Sequence, residues 1–258
     1  MKEQLNELLQ KRVSLRRYAD RPITLEDMDF ILKSAMRAPT AGNMMLYSVI
    51  KVEKDETKKK LAKSCDNQPF IARAPSLLIF CADFQRWYDY YQLSGVPEVC
   101  LERETAFHLP EEGEFLLAAM DTLIASSFAT VAAEACGIGS CYIGDIVENY
   151  EIHKELLKLP KWVLPVGMLC LGYYPDNYKR SVNTRFDSKF IVSEETYHHL
   201  SDAELQEMMA DKEKEFNSKN KFNAENFGQF NYFRKTGTEF SDEMTRSVKL
   251  MLDEWKSV

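Results

Sequence analysis

Histidine is scarce in this chain, and closely paired cysteine is missing. Of four histidines only His198 and His199 are neighbours, and they have no cysteine or carboxylate at ligand spacing. That argues for a loop role rather than a metal centre. The six cysteines (Cys65, Cys81, Cys100, Cys136, Cys141, Cys170) form no Cys-x-x-Cys pair, and their spacing disfavours a disulfide framework. Cys81 and Cys170 fall inside apolar runs, where the thiol acts as a small hydrophobe. An excess of positive charge is also missing: 33 Lys and Arg stand against 40 Asp and Glu, a net charge of −7. General nucleic-acid binding, which wants a basic face, is therefore disfavoured; a local basic pocket for a phosphate is not. Residues 2–12 are charged and amphipathic rather than a secretory pattern. With reduced thiols, the expected location is the cytoplasm. There is no internal repeat and no low-complexity linker.

What is present is enough apolar material for a substantial core: 258 residues, 45% of them hydrophobic. One long apolar stretch, 115–136, has the length of a membrane span. Asp121 and Glu134 within it, and its many alanines and serines, favour instead a buried central helix or a subunit-interface helix. No membrane association is expected.

Periodicity places the other elements. Residues 3–12 read as a short amphipathic helix. Thr24, with Asp27 three residues on, reads as an N-cap opening a helix that carries Met28, Ile31, Leu32 and Ala35 at helical spacing. Pro39 ends it, because the residue before proline avoids the helical region. Strands are expected at 46–52, 77–81, 141–143 and 164–173, and helices at 55–63, 148–158, 202–216 and 242–255. The aromatic stretch 84–107 reads as a packing helix ahead of a substrate lid. Strands alternating with helices, but few in number, imply an α+β domain with a long C-terminal arm.

Three short segments carry the chemistry. Arg12, Ser14 and Arg16 alternate on an extended segment, so their side chains share one face, where two guanidiniums and a hydroxyl can grip a phosphate. The competing reading is of basic residues complementing a helix end. Ala38-Pro39-Thr40-Ala41-Gly42-Asn43 reads either as a helix terminator and turn or as a small-residue loop on which a planar ligand lies against the backbone. Gly137-Ile138-Gly139 precedes Tyr142-Ile143-Gly144-Asp145. It is not a dinucleotide fingerprint, since it follows a helix and lacks the third glycine.

In this order and spacing the three segments resemble the FMN-dependent nitroreductase family, nearest its oxygen-insensitive NADPH nitroreductase and flavin reductase branch. The likeness runs from residue 10 to about residue 190 and includes Ala72-Arg73-Ala74-Pro75, Phe80-Cys81-Ala82-Asp83 and Leu171-Gly172-Tyr173. It implies an α+β fold, a mixed sheet flanked by helices, in an intertwined homodimer with FMN sites in the interface. It divides a single domain into an FMN-binding core, 1–190, and a C-terminal extension, 191–258. Arg12, Ser14 and Arg16 are implied at the FMN phosphate and ribityl chain, and Gln68 near the ribityl chain or ring. Thr40, Ala41, Gly42 and Asn43 match a loop supplied by the other subunit. Tyr142, Ile143, Gly144 and Asp145 match the strand end that meets the isoalloxazine, and Arg185 a basic residue closing on the phosphate. Two positions depart: Met45 stands where the family often has glutamine, and Asn183 where the branch tends to have lysine. Arg234 and Lys235 are candidates for an NADPH 2′-phosphate, or simply members of a solvated loop.

The resemblance implies an FMN-dependent enzyme using NADPH or NADH and passing hydride through flavin N5 to nitroaromatics, quinones or free flavin, in ping-pong fashion. The cofactor carries the redox step, so no side-chain catalyst and no metal is nominated. The alternative is an FMN-binding store or sensor without turnover. A thiol enzyme using Cys65 or Cys141 lacks an evident neighbouring base.

Overall fold

The computed structural model describes residues 1–256, which fall into two compact units: 1–182 together with 244 onward, and 183–243. The likeness placed the break near residue 190, with everything beyond it an extension; here the end of the chain returns to the first unit.

In the first unit, α1 (Lys2–Lys11) and α2 (Leu25–Met36) lead to β1 (Tyr47–Val52). Then come α3 (Asp55–Ser64), α4 (Pro69–Arg73), β2 (Ser76–Asp83), α5 (Gln85–Leu93) and α6 (Val96–Glu102). The long α7 (Glu112–Ala135), β3 (Ile138–Ile143), α8 (Tyr150–Leu157) and β4 (Val163–Tyr173) complete the series. The strands form one sheet in the order β1-β2-β4-β3, every pairing antiparallel. The expected mixed character survives only as an isolated parallel bridge between Ser14 and Ser140.

The sheet is buried on both faces because helices cover both. Every residue of β2 is buried, which is why it reads as a continuous apolar run rather than an alternation. One face packs Leu77, Ile79, Cys81, Cys141, Ile143 and Cys170 against α3 and α4. The other packs Leu78, Phe80, Leu169 and Leu171 against α2 and the small-residue face of α7. Ala125, Ala129 and Ala133, one helical turn apart, bring α7 close to the strands.

Local signals explain the helix ends. Thr24 caps α2 by accepting from the Asp27 amide at 3.1 Å. A reciprocal capping box of Glu111 and Glu114 starts α7 three residues before its apolar run begins. The 84–107 stretch is two helices rather than one, broken at Gly95 with φ +68°. The Gly-x-Gly segment is divided too. Gly137 makes the turn after α7, while Gly139 lies inside β3.

The second unit holds α9 (Asp202–Lys214) and α10 (Phe227–Lys235), and α11 (Glu239–Lys256) begins in it. A capping box of Ser201 and Glu204 starts α9, and Asn226 caps α10. The last turns of α11 belong to the first unit, where Trp255 is wholly buried beside Tyr150, Trp162 and Leu164.

Candidate functional site

The segment 12–16 runs beside β3 because glycine makes room for it. Leu15 donates its amide to the Ser140 carbonyl at 2.9 Å. A Cβ on Gly139 would meet the Leu15 side chain at 2.6 Å and Tyr174 at 2.8 Å, so only glycine permits this approach. Extended geometry then sorts the side chains. Val13 and Leu15 are buried, while Ser14 and Arg16 are exposed and Arg12 half-buried. The expected common face of Arg12, Ser14 and Arg16 is present.

That face has positive charge to spare. Among the described residues neither Arg12 nor Arg16 forms an ion pair with a carboxylate. Arg16 lies 5.5 Å from the centre of the Phe70 ring, which ties it to α4. Gln68, immediately before α4, donates to the Cys65 carbonyl at 3.1 Å. The cations also reach the end of β3: burial raises the Cys141 thiol pKa, and Arg16, Ser14 and Arg12 oppose that shift. Ile143 is buried and Gly144 is exposed; Asp145 opens a short 3-10 turn. Tyr142 points to the opposite face, where its hydroxyl donates to Ser126 Oγ at 2.7 Å. Arg12, Ser14 and Arg16 thus lie along β3 beside Cys141, Gln68 precedes the helix whose Phe70 Arg16 faces, and 143–145 follow where the strand ends. The sequence offers Cys141 only as a candidate nucleophile; its place beside the arginines is not visible there.

Thr40 to Asn43 stand apart from this group. No hydrogen bond or ion pair links them to 12–16 among the described residues. They form a single 3-10 turn with Gly42 at φ +55° and Asn43 at +57°. Ala41 and Gly42, with Met44 and Leu46, border a largely apolar cavity of about 630 Å³ that Phe84, Tyr91 and Phe107 also line. Arg185 is exposed in the second unit, its guanidinium 3.3 Å from the Asn183 carbonyl. Arg234 and Lys235 end α10 in the same unit, where they complement the helix dipole.

The cysteines show no sign of activation. Burial raises the Cys65 pKa, and Asp145 and Glu148 raise it further. The nearest base is His153, whose Nε2 is 3.9 Å away and already bonded to Ser64 Oγ at 2.7 Å. Cys81, in the core, is pushed up to about 12 by burial. None of these environments makes a thiolate at neutral pH.

α7 is the one described helix long and apolar enough to cross a membrane. Its geometry fits a protein core better. Glu134 accepts from Arg180 at 3.0 Å and from the Tyr174 hydroxyl at 2.5 Å. Asp121 accepts two loop amides, and the alanine face lies on the sheet. The opposite face exposes Leu116, Leu117, Met120, Leu123 and Phe128.

Residues 9–173, which hold the sheet and the segments beside β3, match the Nitroreductase family. The chain belongs to the nitroreductase family. Two curated relatives extend the match. The FMN reductase [NAD(P)H] of Bacillus subtilis is 34% identical over 200 residues, covering 76% of this chain and 75% of the relative. The oxygen-insensitive NADPH nitroreductase of Salmonella typhimurium is 32% identical over 196 residues, covering 76% and 75%. Among solved structures, Bacillus megaterium NfrA2 superimposes with a TM-score of 0.80 at 29% identity, covering 98% of this chain and 97% of that one. The likeness to that structure therefore runs beyond the segment in which the sequence matches the family.

Proposed function

We propose that this nitroreductase-family protein is an FMN-dependent NAD(P)H oxidoreductase. The observation that carries the reading is the outward row of Arg12, Ser14 and Arg16, whose two guanidiniums have no carboxylate partner among the described residues. Such a row suits a phosphate dianion, which accepts charge-assisted hydrogen bonds from guanidinium and hydroxyl groups. The names of the Bacillus subtilis and Salmonella relatives point the same way.

Arg12, Ser14 and Arg16 would hold the phosphate. Gln68 would turn its amide to the ribityl chain or ring. The backbone at Ile143, Gly144 and Asp145, with the bare Gly144 exposed, would border the ring beside Tyr142. A bound flavin would supply hydride chemistry through its N5 between NADPH or NADH and a nitroaromatic, a quinone or free flavin, in a ping-pong cycle. The chain's share is binding, orientation and the exclusion of water. Arg185 would approach the phosphate, and Arg234 and Lys235 the 2′-phosphate of NADPH.

The working unit would be a homodimer. The exposed stripe of Leu116, Leu117, Met120, Leu123 and Phe128 gives α7 a second apolar face that a second copy can cover. The partner's Thr40–Asn43 loop would then complete each site, which accounts for its separation from 12–16 within one protomer.

An absorbance spectrum of the purified protein, before and after anaerobic NADPH and then NADH, tests the reading. A bound-flavin band that either donor bleaches within the mixing time supports it. Protein that binds no added FMN sinks the flavin assignment, and bound flavin that neither donor reduces sinks the enzyme.

A further inference from the structure

The loop after α2 is held by side chains from three directions. Asp121, in the middle of α7 and 3% exposed, accepts from the amide of Ala41 at 2.9 Å and from that of Leu46 at 3.2 Å. The Thr40 hydroxyl donates to the same carboxylate. Thr40 Oγ1 in turn accepts from the Met45 amide at 2.9 Å. From α5, Arg86 donates to the carbonyls of Met45 at 3.0 Å and Tyr47 at 2.5 Å, and Trp87 Nε1 to that of Met44 at 2.8 Å.

What these groups hold is an unfavourable backbone. Gly42, Asn43 and Met45 all have positive φ, at 55°, 57° and 51°. Glycine takes that region without cost, but methionine does not. A short loop with two non-glycine residues there persists only where its surroundings determine it, and such strain gathers where a loop must present a surface. Asp121 is suited to the task because an ionised carboxylate only accepts, and three donors converge on it. Asparagine of the same shape would set its NH2 against at least one of them.

We propose that Asp121 is the positioning residue of the 40–46 loop, fixing Ala41, Gly42 and Asn43 in the conformation in which they meet the flavin of the partner protomer. This rests on the FMN reading above; the holding of the loop does not. Asp121 itself touches no ligand. Its effect passes through the Ala41 and Leu46 amides and the Thr40 hydroxyl.

The test compares Asp121→Asn, Thr40→Val, the double variant and a control, Thr130→Val. Thr130 is buried in the same helix and donates to the Ser126 carbonyl at 2.9 Å, away from the loop. Amide hydrogen exchange in flavin-free protein reads the loop alone. Asp121→Asn should speed exchange at Ala41 and Leu46 by about tenfold or more, and Thr130→Val should leave both within about twofold. FMN titration of the dimer then reads the consequence. Asp121→Asn should raise the dissociation constant by about tenfold or more, the double variant should add less than about twofold to that, and the control should match the wild type.

Unchanged exchange at both amides in Asp121→Asn overturns the holding role. Faster exchange with FMN affinity within about twofold of the wild type, or an equal loss of affinity in Thr130→Val, overturns the positioning role. Wild-type protein that binds no FMN overturns the flavin reading, and the flavin half of the proposal with it, even if exchange places Asp121 on the loop. Should Asp121→Asn fail to fold, Thr40→Val carries both measurements, with effects of about threefold or more expected and no effect counting against the proposal.

Discussion

Replacing Arg16 with alanine separates binding from folding, because the structure gives this side chain so little to do within the chain. It is exposed, it has no ion-pair partner among the described residues, and its ring contact is 5.5 Å from the Phe70 centroid. A cation–π contact at an exposed site contributes about 0.5–1 kcal/mol, so thermal stability should fall by no more than that. A charge-assisted bond to phosphate contributes about 1.5–3 kcal/mol. At about 1.4 kcal/mol per tenfold, that is a loss of roughly ten- to somewhat over a hundredfold in FMN affinity. Arg16→Lys, which keeps the charge and loses the planar fork, should fall between. Flavin fluorescence titrated against flavin-free protein gives the constants, and melts monitored by circular dichroism give the stability. Riboflavin, which lacks the phosphate, is the internal control: its affinity should not respond to Arg16. Unchanged FMN affinity in a folded variant refutes the phosphate assignment. An equal loss for riboflavin refutes it differently, by placing Arg16 at the ring or ribityl chain.

Other consequences are open to measurement. Sedimentation should give a dimer at low micromolar concentration, and Leu123→Asp, on the exposed face of α7, should shift it toward monomer; a wild-type monomer that retains stoichiometric FMN removes the shared-site reading. Trp255→Ala should cost about 3–5 kcal/mol, since the ring is fully buried and its Nε1 donates to the Glu111 carbonyl at 3.0 Å; denaturant unfolding reads it, and a loss below about 1 kcal/mol would mean that the end of α11 does not dock. Burial lowers the His153 pKa from its ordinary 6.5, partly opposed by its bond to the Ile146 carbonyl. The unfolded state therefore takes up that proton first as pH falls: this contribution is full above about pH 6.5 and drains below it, by at most about 1.4 kcal/mol per pH unit. His153→Gln should flatten the drop in stability from pH 7 to 5.5, and an unchanged slope contradicts the assignment. Arg234→Ala with Lys235→Ala should erode a preference for NADPH over NADH without changing flavin content; equal catalytic efficiencies in the wild type remove the reason to place them there.

What the sequence discloses is what short range decides. The Arg12, Ser14, Arg16 face is legible because extended chain alternates, and Val13 and Leu15 between them are apolar enough to bury. Thr24 is legible as a cap because its partner is three residues away. Strand β2 shows as an apolar run because helices cover both its faces. Asp121 is the contrary case. In the sequence it is merely a charge that makes 115–136 a poor membrane span, since its partners Thr40, Ala41 and Leu46 lie 75–81 residues earlier in the chain. No local pattern announces a contact at that distance. The same limit hides Trp255, which looks like part of an arm until Glu111 and Trp162 are found beside it. It hides Gly139 as well, whose need to be glycine comes from Leu15 and Tyr174 on other segments. Two of these long-range facts, Gly139 and Asp121, bear on one design. Gly139 admits the segment proposed to face the phosphate to the sheet edge, Asp121 fixes the loop expected to meet the partner's flavin, and α7 carries Asp121 at the margin of its exposed apolar stripe. A helix that holds the loop beside the stripe it offers to a second copy would tie assembly of the dimer to the shape of its flavin sites. Monomerising Leu123→Asp would then loosen the loop as well, speeding exchange at the Ala41 and Leu46 amides although residue 123 touches neither. Exchange as slow in that monomer as in the dimer would show that the stripe and the Asp121 contacts act independently.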